Sequence, residues 1–250
     1  MLSIIVIAKN NVRELNSTIQ SIIDYIDDLD FVELIVIDAS SQISNLSKQA
    51  NHFRNYFYVN EIDKGIFHGM NKGLAMARGN HVWFLNAGDT IPNSIDIMEL
   101  EAMLEESEWC VGRALKLDIK SRNLRPWKIP KSLGFKLYFG VNSYPHQSTI
   151  YQLSSIRRIN GFQENSYVAD WEASLNLHRT CTPVILEKTL SVCESGGFSE
   201  RIPLRLKAIH QTKSRQRVYR FGFARFYAEL FLQLLILVLV KMKKSLDVQR

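Results

Sequence analysis

Strand-like and helix-like apolar patterns alternate through roughly the first 90 residues, and this alternation restricts the fold more than any other feature. Ser3 to Ala8 is a nearly continuous apolar run, as expected of a strand covered on both faces. Val12, Leu15, Ile19, Ile22, Ile23 and Ile26 then recur at helical spacing, and Asn11 with Glu14 three positions on has the pattern of a capping box. Phe31 to Ile37 predicts a second buried strand ending at Asp38. A short strand near Tyr56 to Val59, a helix around Ile66 to Arg78 and a strand His81 to Leu85 follow. Strands alternating with helices argue for a parallel sheet, in which ligands sit outside the carboxyl ends of the strands. Asp38, Asp63 and the run Asn86 to Asp89 therefore converge on one rim, the candidate active site.

Beyond Asp89 the pattern loosens. Ser94 to Glu106 reads as a helix and Trp109 to Leu117 as a strand. Arg122 to Tyr144 is aromatic, basic and aperiodic, an acceptor-side loop region. Pro145 to Tyr151 enters another strand, Asp170 opens a helix continuing through Leu175 and Leu177, and Gly196-Gly197 ends the body. With 46% hydrophobic and 22% charged residues among 250, the chain is of globular composition and needs no staples. Cys110, Cys181 and Cys193 form no CxxC pair and read as reduced core residues. Leu2 to Ala8 is too short, and lacks preceding basic residues, for an export signal.

Asp38, followed by Ala39-Ser40-Ser41, suits either a ligand contact or a helix cap, and Asp63-Lys64-Gly65 suits either a contact or a turn. Asn86-Ala87-Gly88-Asp89 places oxygen donors at a strand end after a glycine that permits close approach, an arrangement suited to Mg²⁺ or Mn²⁺ or to an ordinary turn. Asp170-Trp171-Glu172 offers a general base beside an aromatic platform, or a plain N-cap. His146 stands between a proline and a strand. P-loop, dinucleotide, HExxH and GxSxG fingerprints are absent.

In this order the segments Ser3 to Ile7, Val36 to Ser40, Asp63 to Phe67, Met70 to Gly73, Ala77 to Gly79 and Phe84 to Asp89 resemble the family 2 glycosyltransferases. The chain looks most like the branch serving bacterial exopolysaccharide and colanic-acid-type assembly. The likeness is dense to about residue 90 and continues through Pro145-His146-Gln147, Asp170-Trp171-Glu172 and Gly196 to Ser199. It implies the α/β GT-A fold, a mixed, mostly parallel sheet flanked by helices, and inverting transfer from a nucleotide-sugar donor. It further implies donor binding by Ala8, Asp38, Asp63, Lys72 and Asn86, a Mn²⁺ or Mg²⁺ cofactor at Asp89 and a catalytic base at Asp170. His146, Trp171 and Glu172 fall on the acceptor side, facing a glycan or lipid-linked acceptor in cell-surface polysaccharide synthesis. Asn86 departs from the family's common first acid, which weakens the charge offered to a metal.

Net charge divides unevenly. The chain carries +6 overall, but residues 201–250 hold 12 basic and two acidic residues against 19 and 23 in residues 1–200. A body over 1–200 and a basic, amphipathic helical tail over 201–250 follow. Eight basic residues between Arg201 and Arg225, interleaved with aromatics, precede an apolar run Phe226 to Val240 that is interrupted by Glu229 and Gln233. At 15 residues it falls short of a membrane span. This combination suits an anionic bilayer surface, or packing on the body or a partner. Nucleic acid is disfavoured, because phosphate contacts require no apolar run. The expectation is a cytoplasmic enzyme, peripheral at the inner face of the cytoplasmic membrane. A nucleotidyltransferase and a non-catalytic, tail-anchored scaffold are the alternatives.

Overall fold

The computed structural model describes residues 1–44, 46–105, 107–129, 135–140, 143–194 and 201–248. Four parallel strands, β1 (Leu2–Ala8), β2 (Val32–Asp38), β3 (Asn55–Asn60) and β4 (His81–Asn86), form one half of an eight-stranded sheet. The sheet continues through β7 (Thr149–Gln152), β5 (Trp109–Leu117) and β6 (Leu124–Pro126), in the order β3-β2-β1-β4-β7-β5-β6. Strand β7 is antiparallel to both β4 and β5, while β8 (Val184–Glu194) joins β5 in parallel across two register shifts. Register pairs Ala8 with Asp38 and Asp38 with Asn60, so the carboxyl ends of the first three strands are level.

The continuous apolar runs are explained by cover on both sides. Ile5, Ile7, Ile35, Ile37 and Phe84 share a core with α3 (Ile66–Met76), α6 (Leu153–Arg158) and α7 (Ala169–His178). Ile4, Val6, Leu34, Val36 and Leu85 face α1 (Val12–Tyr25) and α4 (Ile97–Leu104). Gly73 lets α3 lie directly on β1, since a Cβ there would collide with Ile5. The remaining described helices are the single turns α2 (Ser47–Ala50) and α5 (Phe135–Tyr138), and the C-terminal pair α8 (Leu204–Tyr219) and α9 (Phe223–Val248).

Several expectations change. The Asn11 side chain accepts from Lys9 N at 2.9 Å and caps no helix amide, so the capping box is not formed. Helix α7 begins at Ala169, which puts Asp170 inside the first turn and not at the N-cap. Strand β8 was not foreseen, because Glu187 and Lys188 and the two register shifts break its alternation. Gly196-Gly197, and residues 106, 130–134 and 141–142, lie outside the described residues. The apolar stretch of the tail is longer than 15 residues: Phe223–Met242 is long and apolar enough to cross a membrane by length and composition.

The two polar interruptions of that stretch face inward. Arg215, 0% exposed, donates from Nε to Glu229 (2.6 Å), from Nη1 to Gln233 (2.7 Å) and from Nη2 to Thr212 (3.1 Å). Its guanidinium also lies 4.8 Å from the Phe139 ring centroid and 5.3 Å from that of Tyr138. Gln233 donates to the Phe139 carbonyl and to Gln211, both at 2.9 Å, and Tyr138 OH donates to Glu229. These bonds fasten α8 and α9 to each other and to α5. Burial pushes the Glu229 carboxyl up, but its bonds from Arg215, Arg225 and Tyr138 prevail and hold it below its usual value. Removing one partner of such a pair strands the other charge away from water, at about 3–5 kcal/mol. Arg215→Ala is expected to lower the melting temperature by roughly 10 °C; an unchanged thermal melt would show that the pair contributes nothing.

Candidate functional site

A cleft of about 440 Å³ opens at the carboxyl ends of the central strands. Asn86 to Asp89, His146, Asp170 and Trp171 line it together. Strand β4 delivers the first group, and Gly88, at φ +105°, makes the turn that folds Asp89 back over the strand end. Asn86 N donates to Asp89 Oδ2 at 2.7 Å and Asn86 Nδ2 donates to the same oxygen at 3.1 Å. Asn86 Oδ1 is buried without a hydrogen-bond partner among the described residues.

Asp89 is 5% exposed, and burial pushes its carboxyl up to about 7 against the lowering effect of the two Asn86 bonds. A buried carboxyl beside an orphaned amide oxygen is an oxygen donor set fitted to a hard divalent cation, which often needs only one or two protein ligands beside phosphates. Among the described residues no cluster of three His, Cys, Asp or Glu side chains is poised to hold a metal, so the protein's share of such a site is small.

Asn11 and Ile66 also line the cleft, whereas Ala8, Asp38, Asp63 and Lys72 do not. Asp38 is fully buried. Its carboxylate accepts from Ser40 N and Oγ, from Ser44 Oγ at 2.7 Å and from Tyr58 OH at 2.9 Å. Desolvation raises its pKa, yet these four bonds together bring it below the usual carboxylate value. Asn60 Nδ2 bonds the carbonyls of Asp38 and Ser40, and Ser40 Oγ accepts from Asn10 N, so Asp38 shapes the rim from within. Asp63 accepts from Gly65 N at 3.2 Å with Lys9 Nζ 3.5 Å away, Lys72 pairs with Glu61 at 2.6 Å, and Ala8 is buried at the end of β1.

Two acceptor-side expectations are revised. Glu172 turns away from the cleft: Ser214 Oγ donates to it at 2.7 Å and Arg217 clasps it from Nε (2.7 Å) and Nη2. It anchors α8 to α7. Trp171 lines the cleft but is buried, with its indole N–H given to the Leu137 carbonyl at 2.7 Å, so it is a packed wall and not an open platform.

Other lining residues had escaped notice: Lys116, Trp127, Glu194, Arg201, Lys207 and Gln211. Glu194 ends β8, so the strand-end rule would have found it had that strand been recognised. Arg201 and Lys207 show that part of the tail's basic charge faces the cleft. With Arg215 buried and Arg217 and Arg225 in ion pairs, five of the eight basic residues between 201 and 225 serve the fold or the cleft.

The fold is that of the GT-A glycosyltransferases. Residues 3–156 match the family described as Glycosyl transferase family 2, and the chain belongs to it. It is 28% identical over 185 residues to uncharacterized glycosyltransferases of Mycobacterium tuberculosis strains CDC 1551 and H37Rv, covering 69% of this chain and 67% of each relative. Solved structures share the fold at lower identity. S. aureus TarS 1-349 in complex with UDP-GlcNAc superposes with a TM-score of 0.65 at 14% identity, over 92% of this chain and 70% of that one. The mannosyltransferase PcManGT of Pyrobaculum calidifontis, in complex with GDP-Man and Mn²⁺, gives 0.58 at 15% identity, over 92% and 69%.

The buried Asp89 carboxyl yields a pH prediction. Its folded pKa of about 7 lies above the 3.8 of an unperturbed aspartate. Folding therefore takes up a proton between these values, and the metal-free protein loses stability as pH rises from 4 to 7. Asp89→Asn is expected to raise the metal-free melting temperature by roughly 5–10 °C at pH 8 and by little at pH 4. Mn²⁺ should raise the melting temperature of the wild type and leave the variant unmoved; a thermal melt with equal Mn²⁺ shifts in both would refute the site.

Proposed function

We propose that the chain transfers a sugar from a nucleoside diphosphate to a hydroxyl of a glycan or lipid-linked acceptor, inverting the anomeric carbon, in cell-surface polysaccharide synthesis. The supporting observation is the meeting in one cleft of the oxygen-rich strand end, Asn86 and Asp89, with the carboxylate of Asp170. The nucleotide-sugar complexes of the two structural neighbours favour the same class of donor. Asn86 and Asp89 would hold Mn²⁺ or Mg²⁺, which when bound supplies positive charge to the departing diphosphate. The rim built from Ala8, Asp38, Asp63 and Lys72 receives the nucleoside, with Asp38 acting through Ser40 and the strand end it orders.

Asp170 accepts the proton of the acceptor hydroxyl as that oxygen bonds to the anomeric carbon. The bond from that carbon to the diphosphate oxygen breaks on the opposite side, and the electron pair leaves with the nucleoside diphosphate. Calorimetry with UDP and GDP, with and without Mn²⁺, is expected to show metal-dependent binding of one of them. Asp170→Asn should keep that affinity within about twofold while transfer falls by about 10²–10⁴. Near-normal transfer by the folded variant would remove Asp170 from the role of base.

The proposal divides the chain into a transferase body, residues 1–200, and an appendage, residues 201–250, that packs on the body and touches an anionic membrane at its cytoplasmic face. Helix α9 turns Glu229 and Gln233 inward and exposes Phe223, Tyr227, Phe231, Leu235, Val238, Leu239 and Met242 along its other side. Such a one-sided apolar stripe, with Lys241 at its end, suits a helix lying in the bilayer interface. Ala208, Arg215 and Val218 of the tail are buried, Val218 in a core shared with the body, so deleting the tail would open that core and point changes are the proper test. Phe223→Ser with Phe231→Ser is expected to weaken binding to anionic vesicles by about tenfold or more without altering the melt. Undiminished vesicle binding would count against the interfacial role.

A further inference from the structure

Three histidines are buried, and one is left without any partner. His81 Nε2 meets the Leu104 carbonyl at 3.2 Å, and His178 Nε2 meets Tyr144 OH at 2.8 Å. His146 is 7% exposed, and neither ring nitrogen has a hydrogen-bond partner among the described residues. Its ring stacks on Phe84 with centroids 5.6 Å apart and meets the edge of Phe162 at 5.5 Å, so its orientation is set by aromatic packing. Two unpaired polar atoms in apolar surroundings carry a desolvation penalty that a phenylalanine would not. The imidazole nevertheless lines the cleft.

Its position narrows what it can meet. Phe84 and Asn86 lie two apart on β4 and so share a face of the sheet, which places His146 one row of side chains from the cation-binding strand end. The Asp170 carboxylate is close enough to oppose electrostatically the fall in pKa that burial imposes on His146. In the transfer described above, on which this inference rests, the sugar is bonded to the diphosphate at one end and attacked at the same carbon by the hydroxyl that Asp170 deprotonates. The ring must therefore lie between these two groups, and His146 borders both.

We propose that His146 is a specificity-determining residue that reads a pair of neighbouring hydroxyls on the transferred sugar, not on the acceptor. Burial keeps the imidazole neutral, and a neutral imidazole donates from one nitrogen and accepts at the other. Adjacent ring hydroxyls of a hexose offer the complementary acceptor and donor, and a sugar lacking one of them would leave a nitrogen unpaired, as it is in the free protein.

Calorimetry can separate sugar contacts from diphosphate contacts. Wild type, His146→Phe and His146→Asn are titrated in Mn²⁺ with UDP, GDP, UDP-GlcNAc and GDP-mannose, alongside ligand-free melts. His146→Phe keeps the ring against Phe84 and Phe162 and is expected to melt at or above the wild-type temperature. It should bind the bare diphosphate within about twofold of wild type and the sugar nucleotide at least about tenfold more weakly, with His146→Asn in between. Equal sugar-nucleotide binding by the folded phenylalanine variant overturns the proposal. So does an equal loss on the bare diphosphate, or a wild type that gains nothing from either attached sugar. A wild type that binds neither diphosphate defeats the transferase reading itself.

Discussion

Every residue of β1 from Leu2 to Ala8 is buried, and both hydrogen-bonding edges of the strand are occupied, by β2 and by β4. A strand so placed needs apolar cover above and below, which α1 and α4 give on one side and α3 with α7 on the other. Parallel pairing on both edges then sends three carboxyl ends in one direction, where the unpaired groups of the strand ends and the turns beyond them collect. The site follows from that arrangement. Its chemistry is grafted onto a rim that exists because an apolar strand had to be enclosed.

The half of the fold legible in the sequence is the half built on that strand. Periodicity located β1 to β4 and the two long helices between them because a run buried on both faces, or an amphipathic helix, writes its period directly into the order of residues. Strand β8 escaped for a physical reason: its register shifts twice against β5, and exposed Glu187 interrupts the apolar run. The likeness to a known family picked out Asn86, Asp89 and Asp170, which the structure gathers in one cleft. Glu172 was misplaced because a carboxylate one position from a tryptophan on a helix reads the same whether it faces a ligand or, as here, an arginine from a helix more than 40 positions later. Charge counts were similarly blind to direction: Arg215 and Arg217 added to a basic tail in sequence and disappear into ion pairs in space.

Buried polar groups in this protein are satisfied to very different degrees. Asp38 accepts four hydrogen bonds and Glu229 three, and each is held below its usual pKa despite burial. Asp89, with two bonds to a single neighbour, is pushed far above it, while Asn86 Oδ1 and both nitrogens of His146 find nothing. Among the described residues, buried atoms without a hydrogen-bond partner also occur away from the cleft, at His81 Nδ1, His178 Nδ1 and the Tyr219 hydroxyl, whereas those of Asn86 and His146 line it.

The bond from Gln233 to the Phe139 carbonyl spans 94 positions of the chain, and the same glutamine holds Gln211 against the cleft. During synthesis the strands β1 to β4 can pair as soon as the first third of the protein has emerged, since their contacts are local to it. The wall formed by α5 and Gln211 cannot close until α9 has left the ribosome. A nascent chain therefore carries a finished strand-end rim long before it has a finished cleft, whose wall waits for α9.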